Sequence, residues 1–278
     1  MSEETPATEL TAADEARFQT TVFLSAVVPV LKPIINENPG LLKGFKGKTG
    51  IVQISALTGE LDEYGKPAKV ATRLEVTDGE IGIRMGVHEA PNVELEFKSR
   101  EDLNAFFTGK PKLPKIKGGL GNPGLLVATV KSLLKMSSLL SVTKAPEDPE
   151  TAALLVKCMF YLLTSGISQL NKAGHPKFSE WAKRQPDRVY QLTVKGREDL
   201  DAYIRVKGGR SKAFRGTYTR SKPFFAMAFD SVPSALGILL GTDDMVESTI
   251  QQKIMMEGAP EYGAELGDLM LTVGDYAK

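Results

Sequence analysis

Cysteine, histidine and tryptophan are scarce in this chain: its 278 residues include one cysteine, two histidines and one tryptophan. A lone Cys158 excludes an intramolecular disulfide and fits a reducing compartment. His88 and His175 make no metal-ligand spacing with it. Cys158 sits among Val156, Met159 and Phe160, which reads as inert burial rather than nucleophilic use. The patterns G-x-S-x-G, H-E-x-x-H and the P-loop are absent. An excess of charge is missing too. Thirty-five Lys and Arg against 34 Asp and Glu leave a net charge of +1, too weak a field for non-specific nucleic-acid binding. The opening Met1-Ser-Glu-Glu is acidic, with no basic start before an apolar run, so it does not read as a secretory signal. Unbroken hydrophobic runs are also lacking. Thr21–Ile35 is interrupted by Pro29, Lys32 and Pro33. Thr151–Leu170, close to membrane-spanning length, carries Lys157 and the polar Thr164-Ser165-Gly166 and Ser168-Gln169. Both are read as buried helices of a soluble, cytoplasmic protein.

What is present is ordinary globular composition, 42% apolar and 25% charged, in a length that suits one large domain or two of about 130 residues. Internal similarity favours two. Pro91–Phe97 and Pro223–Phe229 each place a proline six residues before a phenylalanine, and twelve residues later each has a glycine, Gly109 or Gly241. Short helices are predicted before those glycines, over Arg100–Thr108 and Val232–Leu240. Gly86 and Gly216 match upstream. Lys115-Ile-Lys-Gly118 parallels Lys253–Gly258 downstream, followed in each case by a proline and a closing helix, Gly124–Leu140 or Glu261–Ala277. Each unit opens with an apolar helix, Phe18–Ile35 or Thr151–Leu170. The boundary falls in the charged, proline-containing 143–150. The division is therefore a mobile tail 1–17, unit one 18–142, a linker 143–150 and unit two 151–278.

Strands are predicted at Ile51–Ala56, Ala71–Val76, Ile81–Val87 and Val93–Phe97, with a loop over Thr58–Lys69 between the first two. Their counterparts are Val189–Val194, Asp201–Val206, Lys212–Thr219 and Phe224–Asp230. Strands in a run with helices grouped around them define an α+β class, not doubly wound α/β. The alternation of Val93, Leu95 and Phe97 with polar residues predicts one wet face for that strand. Phe224–Phe229 is apolar throughout, which predicts two dry faces, one of them covered by the first unit or a second subunit.

Phe214-Arg-Gly216, Pro223 to Phe229, the helix to Gly241, Lys253–Gly258 and the final amphipathic helix together resemble a sterol carrier protein-2 domain. Unit two is the clearer match. Unit one departs by its longer loop, by Asn92, Glu94 and Glu96, and by a glycine-rich segment. The resemblance implies two tandem sterol-carrier-like units, each a five-stranded mixed sheet covered by helices on one face, with a hydrophobic tunnel between them. It also implies a lipid-binding, lipid-transport role: non-catalytic binding and transfer or presentation of fatty acids, acyl-CoA or sterol-like lipids, with no enzyme activity and no cofactor or metal. Residues nominated to line the tunnel are Leu155, Met159, Leu162, Leu163, Phe229, Met245, Ile250, Met256, Leu266, Leu269, Met270 and Val273. The methionines suit varied apolar ligands, though ordinary core filling accounts for each singly. Gly263, Gly267 and Gly274 in the closing helix fit either close packing on the sheet or a lid that lifts. The alternative role is an interaction or accessory subunit of a lipid-metabolic system, its cavities filled by side chains. The partner is then a hydrophobic small molecule and not nucleic acid, with a homodimer and a transient membrane-surface contact left open. Gly119-Leu-Gly-Asn-Pro-Gly124 matches G-x-G-x-x-G, but with no βαβ unit around it a tight turn is expected. Lys110, Lys112, Lys115 and Lys117 fit contact with a CoA phosphate or an anionic membrane surface or, more simply, a solvated strand edge.

Overall fold

The computed structural model describes residues 10–278. Residues 1–9 of the predicted tail lie outside them, and its remainder is not a tail. Thr11 caps a helix through a reciprocal pair with Asp14, and α1 runs Ala12–Val22. The helical path then continues to Asn36 with altered winding: a π turn over Phe23–Val27, a 3-10 turn over Val28–Val30, and α2, Leu31–Asn36. Pro29 and Pro33, each lacking an N–H, do not end the helix as their chemistry would elsewhere. The Val28 N–H bonds back to the Phe23 carbonyl, one residue beyond the α-helical partner. The Leu24 carbonyl is instead satisfied by the Thr72 hydroxyl at 2.7 Å.

After α3 (Pro39–Phe45), the chain forms β1 (Gly50–Leu61), β2 (Pro67–Thr77), β3 (Glu80–Met85) and β4 (Val93–Phe97). Then come α4 (Arg100–Phe107), β5 (Lys115–Lys117) and α5 (Pro123–Leu140). The second half starts with α6 (Pro149–Lys172) and α7 (Pro176–Arg184), followed by β6 (Arg188–Val194), β7 (Ala202–Lys207), β8 (Arg210–Arg215) and β9 (Phe225–Phe229). It closes with α8 (Val232–Leu239), α9 (Met245–Ile250), β10 (Ile254–Glu257) and α10 (Pro260–Tyr276). Each half builds a five-stranded mixed sheet, in the orders β3-β2-β1-β4-β5 and β8-β7-β6-β9-β10. Only the pairs β1–β4 and β6–β9 are parallel. The strand order is the same in both, as expected for an α+β chain of two like units.

The longest departure from expectation is the segment 58–69. It is not a loop: β1 and β2 continue pairing through Leu57↔Lys69 and, past an irregularity, Leu61↔Pro67. Asp62 closes the turn by accepting from the Tyr64 and Lys66 amides. The G-x-G-x-x-G stretch is the anticipated tight turn, between an antiparallel edge strand and α5.

The helices meet back to back. The π turn and α1 pack on α6, whose other side lies on β7 and β8. Sheet, helix, helix, sheet is therefore the layer order, and buried side chains of both halves form one continuous apolar core. Links across the seam include Arg17, which donates to the Ala173 carbonyl at 2.8 Å, Lys157, which donates to Glu37 at 2.6 Å, and Phe18, whose ring lies 4.6 Å from that of His175 at a tilt of 47°. Among the described residues, three helical stretches are long and apolar enough to cross a membrane. In the most apolar 18 residues of 12–36 and of 149–172, 78% and 83% are buried inside the protein, against 39% for 123–140.

Candidate functional site

The nominated lining residues fall into two groups. Leu155, Leu162 and Leu163 of α6, Phe229 of β9, and Leu266, Leu269, Met270 and Val273 of α10 are buried together in the shared core. Met159, Met245 and Met256 are half-buried against it. Ile250 stands apart, 71% exposed on the outer side of α9. Contacts under α10 are close. A Cβ on Gly166 would lie 2.3 Å from a Val273 methyl, and one on Gly263 would lie 2.8 Å from the Met256 sulfur. Those distances make close helix–helix and helix–sheet approach the use of both glycines in this conformation. None of the nominated residues lines the cavities described below.

All five residues of β9 are buried, and α8 and α10 of its own half pack on it. Arg188 lies 3.9 Å over the Phe224 ring, which Tyr262 meets edge-on at 4.7 Å. On β4 the expectation of a wet face fails. Glu94 is buried, accepting hydrogen bonds from Gln53 (2.9 Å), Ser55 (2.7 Å) and Lys69 (2.9 Å). Lys69 also pairs with Glu96, which takes Lys117 at 2.6 Å. Burial pushes the Glu94 carboxyl up, but the donors outweigh it and hold the group below the ordinary carboxylate range. Lys117 is therefore engaged at the sheet edge, and Lys112 pairs with Asp102 at 3.1 Å.

Two glutamines, unremarked in the sequence, organise these outer faces. The His88 N–H donates to Gln53 Oε1 at 2.6 Å, and the Tyr218 N–H donates to Gln191 Oε1 at 3.0 Å. Each glutamine in turn donates to a buried carboxylate, Glu94 or Asp201. The signal was available: Ile51-Val-Gln-Ile-Ser55 and Val189-Tyr-Gln-Leu-Thr193 share a central glutamine at the same place on equivalent strands.

The cavity seated between a sheet and its helix lies in the first half. β3 stops at Met85, the partner of Thr72, whereas β2 begins five residues earlier at Pro67. Gly86, at φ +95°, turns the chain away while its N–H still reaches the Ala71 carbonyl at 2.8 Å. The edge of β2 at Lys69–Ala71 is left beside a recess of about 290 Å³, roofed by the helix from Arg17 to Ser25 and including two residues of the π turn. In the second half the same corner has no such overhang: β7 begins at Ala202, the partner of Arg215. Strand-length mismatch makes this recess, and no motif encodes that.

Leu24, Val70, Ala71, Met85 and Val87 supply its apolar lining, with Thr20, Thr21 and Ser25 among them. Three cations border it. Arg17 is bonded to Asp14 and Ala173, and Lys69 to Glu94 and Glu96. For Lys69, burial disfavours the charge, but the two carboxylates outweigh it and raise its pKa. Arg100, half-buried at the start of α4, has no ion-pair partner among the described residues. A second cleft, about 900 Å³ and open, lies between α1, α4 and α10, with Glu15, Glu101, Asp275 and Lys278 on its walls. A third, about 420 Å³, separates α3 from α5. Among the described residues no cluster of His, Cys, Asp and Glu is arranged to hold a metal. Burial pushes the Cys158 thiol up to about 12, which leaves it protonated and unreactive.

No family model matches this chain, and no curated protein does. Among solved structures, a sterol carrier protein 2 is similar at 18% identity and a TM-score of 0.30, over 42% of this chain and 94% of its own. A conserved hypothetical protein from Thermus thermophilus is similar at 16% identity and 0.27, over 50% and 92%. The ubiquinone synthesis protein UbiJ-SCP2 is similar at 15% and 0.28, over 42% and 96%. Each of these likenesses extends over half of this chain or less.

Proposed function

We propose that this chain is a non-catalytic binding protein for small amphiphiles, held in the recess between the α1–π segment and the free edge of β2. The observation that carries this reading is Arg100: a guanidinium with no ion-pair partner among the described residues, beside a largely apolar recess, suits a ligand with a fatty body and an anionic head. Volume sets the ligand's size. The recess, about 290 Å³ and open to solvent on one side, shelters part of a medium-length chain and leaves most of a longer one uncovered. Burying eight methylenes contributes at most about 6 kcal/mol, from which association costs are subtracted, so weak and reversible binding is the outcome.

The test is displacement of the anionic dye 1-anilinonaphthalene-8-sulfonate by decanoate, alongside mass spectrometry of a solvent extract of freshly purified protein. Decanoate is expected to displace the dye from the parent, and Arg100→Gln to weaken decanoate at least ~10-fold, the loss of one charge-assisted bond. Equal affinity in parent and variant would remove Arg100, and this site, from consideration. A second reading has its own support: the packed interior under α10 fits an accessory subunit that binds protein partners and no lipid. It is favoured if no amphiphile is extracted and decanoate displaces nothing.

A further inference from the structure

Acidic residues are absent from two stretches of the sequence that fold against each other. Between Glu37 and Glu60 the charged residues are Lys43, Lys46 and Lys48; between Asp102 and Glu147 they are all lysines, among them Lys131 and Lys135 on α5. In a chain of near-zero net charge this is a separation of charge, not an excess. The stretches meet where α3 packs on α5, with Gly44 facing Ala128. Among the described residues no ion pair engages Lys43, Lys46, Lys48 or Lys131. The groove between the two helices has Lys48 and Lys131 on its walls and no acidic lining residue.

The same helix carries an apolar stripe that the core does not use. Val127, Val130 and Leu134, at helical spacing, are 51%, 38% and 65% exposed, with Lys131 between them. Leu120, on the turn before α5, and Leu42, on α3, are also exposed. The other two long apolar helices turn most of their surface inward. An aliphatic stripe flanked by lysines, free of acid, describes a helix that lies in a lipid interface. The composition argues against a protein partner: the stripe and its rim carry no Tyr, Trp or Arg, the residues that anchor protein interfaces.

We infer that the α3–α5 face docks on an anionic lipid bilayer, with Val127, Val130 and Leu134 entering the headgroup boundary and Lys48 and Lys131 meeting lipid phosphates. This goes beyond the amphiphile-binding reading and does not depend on it. Co-sedimentation with vesicles of equal phosphatidylcholine and phosphatidylglycerol tests it, against vesicles of phosphatidylcholine alone, at low salt and at about 0.5 M salt, where screening is strong. The full chain is expected to pellet with the anionic vesicles at low salt and to be released by salt. Val127→Ser with Leu134→Ser, and separately Lys48→Glu with Lys131→Glu, are expected to lower the bound fraction at least ~10-fold, as loss of insertion or of phosphate contacts requires. Val246→Ser, exposed on the other half, is expected to bind as the parent does. Unchanged melting and circular dichroism confirm that the variants are folded. Absence of binding, equal binding to neutral vesicles, or undiminished binding by the α5 variants overturns the inference. So does a self-association, seen by light scattering, that Leu134→Ser abolishes in protein that ignores vesicles. Arg100→Gln is expected to leave vesicle binding intact, which separates failure here from failure at the recess.

Discussion

Gln53 and Gln191 each satisfy a loop amide and lean on a buried carboxylate, so each closes a small polar network inside an apolar setting. Such networks cost little while complete and much when broken. Gln191→Leu leaves the Tyr218 N–H without its acceptor and takes from Asp201 one of its donors, the Thr217 hydroxyl remaining at 2.7 Å. A loss of about 2–3 kcal/mol is expected in urea titration, with the loop at 216–223 the first segment to lose hydrogen-exchange protection. A change under about 0.5 kcal/mol would show that the network contributes nothing beyond packing. His175 is a second residue with a measurable consequence. It lies among Phe18, Phe178 and Tyr276, its Nε2 3.2 Å from the Tyr276 hydroxyl, with Glu15, Arg17 and Lys177 the nearest charges. Burial lowers its pKa below 6.5. The folded state thus binds the proton less readily than the unfolded chain. Its contribution is complete above pH 6.5 and is lost as pH falls through the folded value. Urea midpoints should decline between about pH 7.5 and 5.5, and His175→Phe should flatten that slope; the same slope in the variant would assign the decline elsewhere.

At the scale of elements, α6 and α10 approach through Gly166, where an added methyl would overlap Val273. Gly166→Ala is expected to destabilise by about 1–3 kcal/mol despite alanine's better helix propensity, and Val273→Ala in the same molecule to recover part of it. If the single substitution stabilises, the helices are not held as close as described. This scale is also where the sequence was most legible. The strands at 51–56, 189–194 and 224–230 are legible because β-branched and aromatic runs sit between turn residues, and the repeat cross-checks them. The hairpin at 58–69 was not, because Gly59, Asp62 and Gly65 read as loop, whereas the ribbon they close is solvated and needs no apolar alternation. Glu94 and Glu96 misled for a related reason. Period-two polarity normally marks a wet face, and here Lys69, reaching across the neighbouring strand, joins Lys117, Gln53 and Ser55 in satisfying Glu94 and Glu96 away from water. The recess beside β2 was illegible altogether, since it depends on where one strand stops relative to another.

Across the whole molecule, the two halves share one core, so their stabilities are not independent. A single calorimetric transition is expected, with calorimetric and van't Hoff enthalpies in agreement. Two resolved transitions would show that the seam is weaker than its buried Phe18, Lys157 and π-turn contacts indicate. The amphiphile recess faces the first sheet's edge and the lysine-bordered stripe lies on α5, so substitutions at Arg100 and at Leu134 are expected to act additively.

The seam brings equivalent elements together: the opening helix of one half rests on the opening helix of the other. An arrangement of that kind is what a twofold pair of identical subunits makes, with the same patch used by both partners. A shorter chain bearing one such sheet and the same greasy helix would expose that flank to water and would pair through it. In the present chain, the connection at 141–148 makes the pairing intramolecular and therefore independent of protein concentration.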